Sequence, residues 1–352
     1  MGKKSHVLLS LLLALALAFS FAACGNSSNS SAAGSGGTTA GGDAVAAADD
    51  TTLDRVLQIG IYANPCEAHF FAADLLGLFE EAGYTVEWTQ VADGTAQEYL
   101  TTGKIDITDG VLDGWLKPIE QGLDVRFTEA LNQGCMATAT LADTPIDSVE
   151  ELVGKTIGVL GPIGGGVMDY LVRLIVEHGL DVDNDFEWVS FGDPAALSLA
   201  LDNGDIDALV TVDSLVWDRV TAGEYKFVTQ LSYDPETIAE TCCLLMISPQ
   251  LVDEHPGVAK KLTEILYQGA LYAQDNIEEV IRYAQLKELI AGDVETNIDI
   301  ARSYTFAPGV DLGLLSFTNA FKAYQVAGLI DADVDLDAII DRTFVRYEGI
   351  GE

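Results

Sequence analysis

The sequence predicts an α/β protein built as two similar parallel-sheet lobes joined by segments that cross between them. Three observations predict it. The chain has 352 residues, enough for about two domains. Its apolar share of 49%, with 8% aromatics, supports a packed core over disorder. Its body also repeats at an offset of about 100 residues, far longer than a solenoid unit, and each copy reads β-α-β-α-β.

The elements follow in order. Lys3 and Lys4 precede an apolar run from Val7 to Ala18, too short to span a bilayer comfortably. That pattern reads as a signal peptide over residues 1–23, and Phe21-Ala22-Ala23-Cys24 resembles a bacterial lipobox with Cys24 as the acylated residue. An ordinary secretory signal is the alternative. Residues 24–52 are rich in Gly, Ser, Ala and Thr and read as a flexible tether.

The body opens with Leu57-Gln58-Ile59-Gly60-Ile61, echoed by Lys155-Thr156-Ile157-Gly158-Val159, both of strand type. A helix is expected over His69–Ala82 and again over Val167–His178, with Gly83 and Gly179 at the C-caps. Glu87-Trp88 and Glu187-Trp188 mark the next strands. Asp93 and Asp193 then stand at N-cap positions before Thr95–Thr102 and Ala195–Asn203. Gly103-Lys104-Ile105-Asp106 and Gly204-Asp205-Ile206-Asp207 each open a further strand. Cys242–Ser248 reads as one more strand, and helical periodicity follows over Ala259–Gln274, Ile277–Ile290, Leu312–Ala327 and Leu336–Thr343. The crossings are expected near Leu141–Ile146 and Leu231–Thr241. Lobe 1 is then 53–140 plus 242–352, and lobe 2 is 141–241.

Charge excludes some functions. Eighteen Lys plus Arg against 55 Asp plus Glu give a net charge of −37, which repels nucleic acid and anionic lipid. The sequence shows no Ser-His-Asp order, no HExxH and no paired nucleophile and base.

Two segments carry a resemblance. Ser148-Val149-Glu150-Glu151-Leu152-Val153-Gly154-Lys155-Thr156-Ile157-Gly158-Val159 and Ala200-Leu201-Asp202-Asn203-Gly204-Asp205-Ile206-Asp207-Ala208 match "LxGKxIGV" and "ALxxGxIDA". Over about residues 55–345 the chain resembles substrate-binding proteins of ABC importers, in the nitrate, taurine, alkanesulfonate and thiamine-pyrimidine branch. The resemblance implies a type II periplasmic-binding-protein-like fold: two Rossmann-like lobes, two crossing segments and a ligand between them. It also implies partnership with an ABC permease and ATPase; a monomer without a cofactor is expected, and the signal, Cys24 and the tether read as an anchor on the outer face of the cell membrane.

Ligands of open α/β sheets bind beyond the carboxyl ends of the strands. The loops there are Tyr62–Glu67, Asp109–Trp115, Leu131–Cys135, Gly161–Val167, Phe191–Ala195 and Thr211–Leu215, and none contains Lys or Arg. The candidate ligand-binding residues are Tyr62, Asn64, Cys66, His69, Asp109, Asp113, Trp115, Gln133, Gly164, Gly165, Asp193, Asp213 and Trp217. Some of these have a plainer reading as well. Glycines 161 and 164–166 suit a tight turn, Asp193 suits an N-cap, His69 could cap the first helix, and Trp115 and Trp217 suit the core. With three carboxylates at strand mouths, a neutral or cationic ligand, such as a pyrimidine or vitamin-like compound, is expected over a sulfonate or nitrate.

His69, His178 and His255 are scattered, so no histidine-based metal site is expected. Cys66, Cys135, Cys242 and Cys243 leave three readings open: a disulfide, buried free thiols, or soft ligands for a metal. In the resembling family the crossings run side by side, which makes Cys135 a partner for Cys242 or Cys243. Strand alternation lets only one of the two reach it. The functional alternatives are a sulfonate or nitrate receptor, a pyrimidine synthase of the same fold using pyridoxal phosphate with His69 recruited, and a sensory lipoprotein.

Overall fold

The computed structural model describes residues 50–351 except 93, 236 and 238. The signal segment, Cys24, nearly all of the tether and the Asp93 cap lie outside the described residues. Lobe 1 begins with β1 (Leu57–Ile61), a 3-10 turn at Pro65–Glu67, α1 (Ala68–Leu75) and α2 (Leu78–Glu81). One helix was expected across α1 and α2. Gly77, with φ of 70°, breaks it, because that left-handed backbone cannot continue an α-helix. β2 (Val86–Gln90), α3 (Thr95–Thr101), β3 (Ile107–Val111), α4 (Asp113–Glu120) and β4 (Arg126–Asn132) follow.

The chain then crosses. Lobe 2 holds β5 (Met136–Leu141), β6 (Thr156–Leu160), α5 (Gly166–Glu177), β7 (Glu187–Phe191), α6 (Pro194–Asn203), β8 (Ala208–Val212), α7 (Trp217–Thr221) and β9 (Tyr225–Gln230). The return brings β10 (Cys243–Ile247), α8 (Pro249–Glu254), α9 (Pro256–Leu286), α10 (Val294–Arg302), α11 (Val310–Val326) and α12 (Leu336–Thr343). The two helices expected before and after residue 276 are both present within α9, separated by a kink at Asn276 (φ −130°, ψ 31°), whose side-chain amide donates to the Tyr272 carbonyl at 3.0 Å. Helix α9 lies against α1 and β4, and α11 packs on β4 and on α5 of the other lobe. No helix among the described residues is long and apolar enough to cross a membrane.

The strand orders are β2-β1-β3-β10-β4 and β7-β6-β8-β5-β9. Position by position they are the same sheet twice. Both are mixed, however, where purely parallel lobes were expected. β10 runs antiparallel to β3 and β4, and β5 antiparallel to β8 and β9. Each antiparallel strand is the one that has just arrived from the other lobe. The first crossing therefore lies at Gln133–Cys135, not near Leu141–Ile146, because Met136–Leu141 is committed to the second sheet. The second crossing falls between β9 and β10, as expected.

The repeated Ile-Asp motif has a local job. Asp106 accepts the Gln58 N–H and Asp207 accepts the Thr156 N–H, each at 2.9 Å, so each carboxylate ties the third strand of its lobe to the first. Registers repeat as well: Ile59 faces Trp88 and Ile157 faces Trp188. The segment is structural in both copies.

Candidate functional site

The carboxyl ends of β1, β3, β6 and β8 face one another across a cavity of about 450 Å³ between the lobes. Lobe 1 lines it with Tyr62, Asn64, Cys66, Asp109, Gly110 and Gly114, and lobe 2 with Gly166, Val167, Pro194, Val212 and Leu215. Cys135 and Cys243 form part of the floor, where the crossings meet. No Lys or Arg is among the described lining residues.

Contacts between the lobes flank it. The Asn64 amide donates to Ser214 Oγ at 3.2 Å across the mouth. Behind, the starts of α4 and α5 abut so closely that a Cβ on Gly166 would sit 2.6 Å from the Gly114 nitrogen. Only glycine fits there.

The first loop is shaped by a buried acid. Glu67 accepts the N–H groups of Tyr62 (2.6 Å) and Asn64 (2.8 Å), turning the chain after β1 back toward α1. Burial lifts its carboxyl to about 7 against the pull of those two donors. Asp109 is pushed well above the usual carboxylate range by burial and by nearby Glu67. His69 is held neutral by burial, at about 3. Its Nε2 lies 3.4 Å from Asp109 Oδ2 without hydrogen-bond geometry, and neither residue's polar side-chain atoms find a partner.

Other candidates lie elsewhere. Asp113 points away from the cavity to the Tyr324 hydroxyl (2.9 Å) and to Arg173 (3.7 Å), which also pairs with Glu240. Asp213 accepts from the Tyr304 hydroxyl (2.5 Å) and the Gln230 amide (3.1 Å), and burial lifts its carboxyl to about 6 despite them. Asp193 caps α6 by accepting the Ala196 N–H at 2.9 Å. Trp115 is core, packed under Gly110, and Trp217 packs on Phe227. Gln133 bridges to Thr305, and Gly164 and Gly165 form the turn into α5 without lining the cavity. Of the thirteen candidates, Tyr62, Asn64, Cys66 and Asp109 line it. The expected set of cleft carboxylates thus reduces to Asp109, because the others have partners of their own.

The cysteines converge. Cys66, Cys135, Cys242 and Cys243 are all buried free thiols. Cys135 Sγ lies 2.8 Å from Cys242 Sγ, and Cys242 Sγ lies 3.6 Å from Cys243 Sγ. Strand alternation does not separate Cys242 from Cys243, because β10 starts only at Cys243 and its pairing to β4 shifts right after it. Cys135 itself has φ of 89° in the crossing. Thiol donors at Cys135, Cys242 and Cys66 pull the Cys243 thiol well below its ordinary range.

The family model described as NMT1/THI5 like matches residues 64–280, more than half of the chain. The chain belongs to the NMT1/THI5-like family. Several solved structures share the fold of this family member. The alkanesulfonate-binding protein SsuA from Xanthomonas axonopodis pv. citri, bound to MOPS, aligns at a TM-score of 0.66 and 15% identity, over 85% of this chain and 100% of that one. The periplasmic nitrate-binding protein NrtA from Synechocystis PCC 6803 aligns at 0.68 and 15%, over 82% and 86%. A ligand-binding component of an ABC-type import system from Staphylococcus aureus, with zinc bound, aligns at 0.67 and 13%, over 84% and 99%. These likenesses establish the type II periplasmic-binding-protein fold for this NMT1/THI5-like chain. No curated protein matches it in sequence.

Proposed function

We propose that the chain is an extracytoplasmic solute-binding lipoprotein that captures a small molecule between its lobes and delivers it to an ABC permease and ATPase. The observation that carries this reading is the cavity of about 450 Å³ at the strand ends, bridged by Asn64 and Ser214 from opposite lobes. The motif around Cys24 supports a lipid anchor on the outer face of the membrane, and the receptor is taken as a monomer. A neutral or cationic ligand is favoured, since the described lining offers one acid and no basic side chain. An anion is the second reading, favoured by the α4 and α5 starts at Gly114 and Gly166. Catalysis is not part of the proposal. His69, the residue a pyrimidine synthase would recruit, is fully buried and does not line the cavity.

A thermal-shift panel of pyrimidines, vitamins, amines, sulfonates and nitrate, followed by titration calorimetry, tests it. One class should raise the melting temperature and bind one-to-one, with the ligand recovered unchanged. A sulfonate or nitrate hit would select the anion reading. Conversion of the ligand, or no binding across the panel, would overturn the receptor assignment.

A further inference from the structure

The four thiols are not explained by the fold, since the second lobe builds the same sheet without them. The sulfurs of Cys66, Cys135 and Cys243 lie within 4.8 Å of one another, and all three residues line the floor of the cavity. A metal held trigonally by three thiolates at about 2.3 Å spaces its sulfurs by roughly 4 Å, which this arrangement meets with small side-chain shifts. A second observation points the same way. The buried carboxyl oxygens of Asp109, on the same cavity wall, and the buried ring nitrogens of His69, 3.4 Å from them, make no hydrogen bond within the protein. Buried polar groups without partners are costly, and such a set is rare unless something else completes it. The three elements supplying sulfur are the turn after β1, the first crossing and the start of β10. They meet only when the whole chain is folded.

We propose that Cys66, Cys135 and Cys243 form a three-thiolate site for a soft d10 metal ion at the floor of the interlobe cavity. Soft thiolate ligands select such ions over hard ones such as magnesium or calcium. Each sulfur binds as thiolate, so each thiol still protonated releases its proton to solvent as the ion enters. Cys242, absent from the cavity wall, stands outside the ligand set. The assignment makes the metal the cargo of the receptor described above, so it rests on that reading of the cavity.

Cadmium(II) alone, added to the full chain without oxygen, is the probe. One ion per chain should bind, with a thiolate-to-metal charge-transfer absorption and a rise in melting temperature. Cys66→Ser and Cys243→Ser should each weaken binding at least 100-fold and reduce the absorption, while Cys24→Ser and Cys242→Ser keep it. Circular dichroism of the variants, with their melting curves without metal, checks that they fold. Unchanged cadmium affinity in both site variants overturns the assignment. So does a Cys135–Cys242 disulfide in the protein as isolated, since it would remove one ligand. An organic solute that binds one-to-one while cadmium does not would overturn the metal site and leave the receptor standing. Failure of both would overturn the two together.

Discussion

The two lobes are one plan executed twice, and their loops have been given different work. After β1 the chain runs Tyr62-Ala63-Asn64-Pro65-Cys66-Glu67, a turn held by a buried carboxylate; after β6 it runs through four glycines into α5. Near the end of β3 sits Asp109, while the corresponding place in β8 holds Val210. Lobe 1 thus brings thiols and an acid, and lobe 2 brings an apolar wall of Val167, Pro194, Val212 and Leu215. The difference teaches that the sheet is scaffold and the chemistry is carried by one side of the cleft.

The largest effect should come from the charge cluster where the lobes touch. Arg173 of α5 is 2% exposed and pairs with Asp113 and Glu240. Arg173→Leu leaves two buried carboxylates without their cation and should cost about 3–5 kcal/mol in urea unfolding. A loss under 1 kcal/mol would mean that the lobes do not depend on this contact.

Next is the glycine pair. Gly166→Val drives a branched side chain into the start of α4 and should cost about 1–3 kcal/mol through overpacking. Small-angle scattering should show a more open molecule, and any ligand bound between the lobes should weaken at least tenfold. Unchanged scattering would show that the close approach of the lobes is not needed.

A pH test isolates one buried acid of lobe 2. Burial, then nearby Asp113, lifts Asp169 of α5 to about 8. The folded chain therefore holds a proton that the unfolded chain releases near 3.8. This contribution is complete below the unfolded value and is lost as pH climbs toward 8. Between pH 5 and 7 it should amount to roughly 1–3 kcal/mol. Asp169→Asn should flatten that part of the curve, leaving the parts owed to Glu129, Glu67 and Asp109 in lobe 1 and to Asp213 in lobe 2, whose carboxyls burial also raises. An unaltered slope would place the titration elsewhere.

The smallest effect should be at Asp193. Asp193→Ala removes the α6 cap and should cost about 1 kcal/mol of stability without changing ligand affinity. A tenfold loss of affinity would return this residue to the cleft.

The fold was legible because its signals are local. Strand runs, glycine punctuation and a fixed offset named β1, β6 and α12 almost to the residue. The crossing was misplaced, at Leu141–Ile146 instead of Gln133–Cys135, because nothing local tells a strand which sheet it will join. The site was less legible for the same reason. Asp113 and Asp213 stand at strand mouths as expected, but their partners Tyr324, in α11, and Tyr304, in the loop after α10, lie 211 and 91 residues away in sequence. The cysteines were visible as an oddity. Their meeting point depends on where Gln133–Cys135 crosses, which only the assembled sheets define.

The exchange of one strand between the lobes also sets an order of assembly. All five strands of the second sheet lie between residues 136 and 230, so that sheet is complete once this stretch has emerged. The first sheet is not. Among the described strands β4 neighbours only β10, and its one further bridge is to Phe344, so as the chain emerges from its N-terminal end, β4 must wait unpaired while more than 100 residues follow it. The lobe that begins first in sequence is finished last, and a chain cut short before residue 243 would carry one closed sheet and one with a gap.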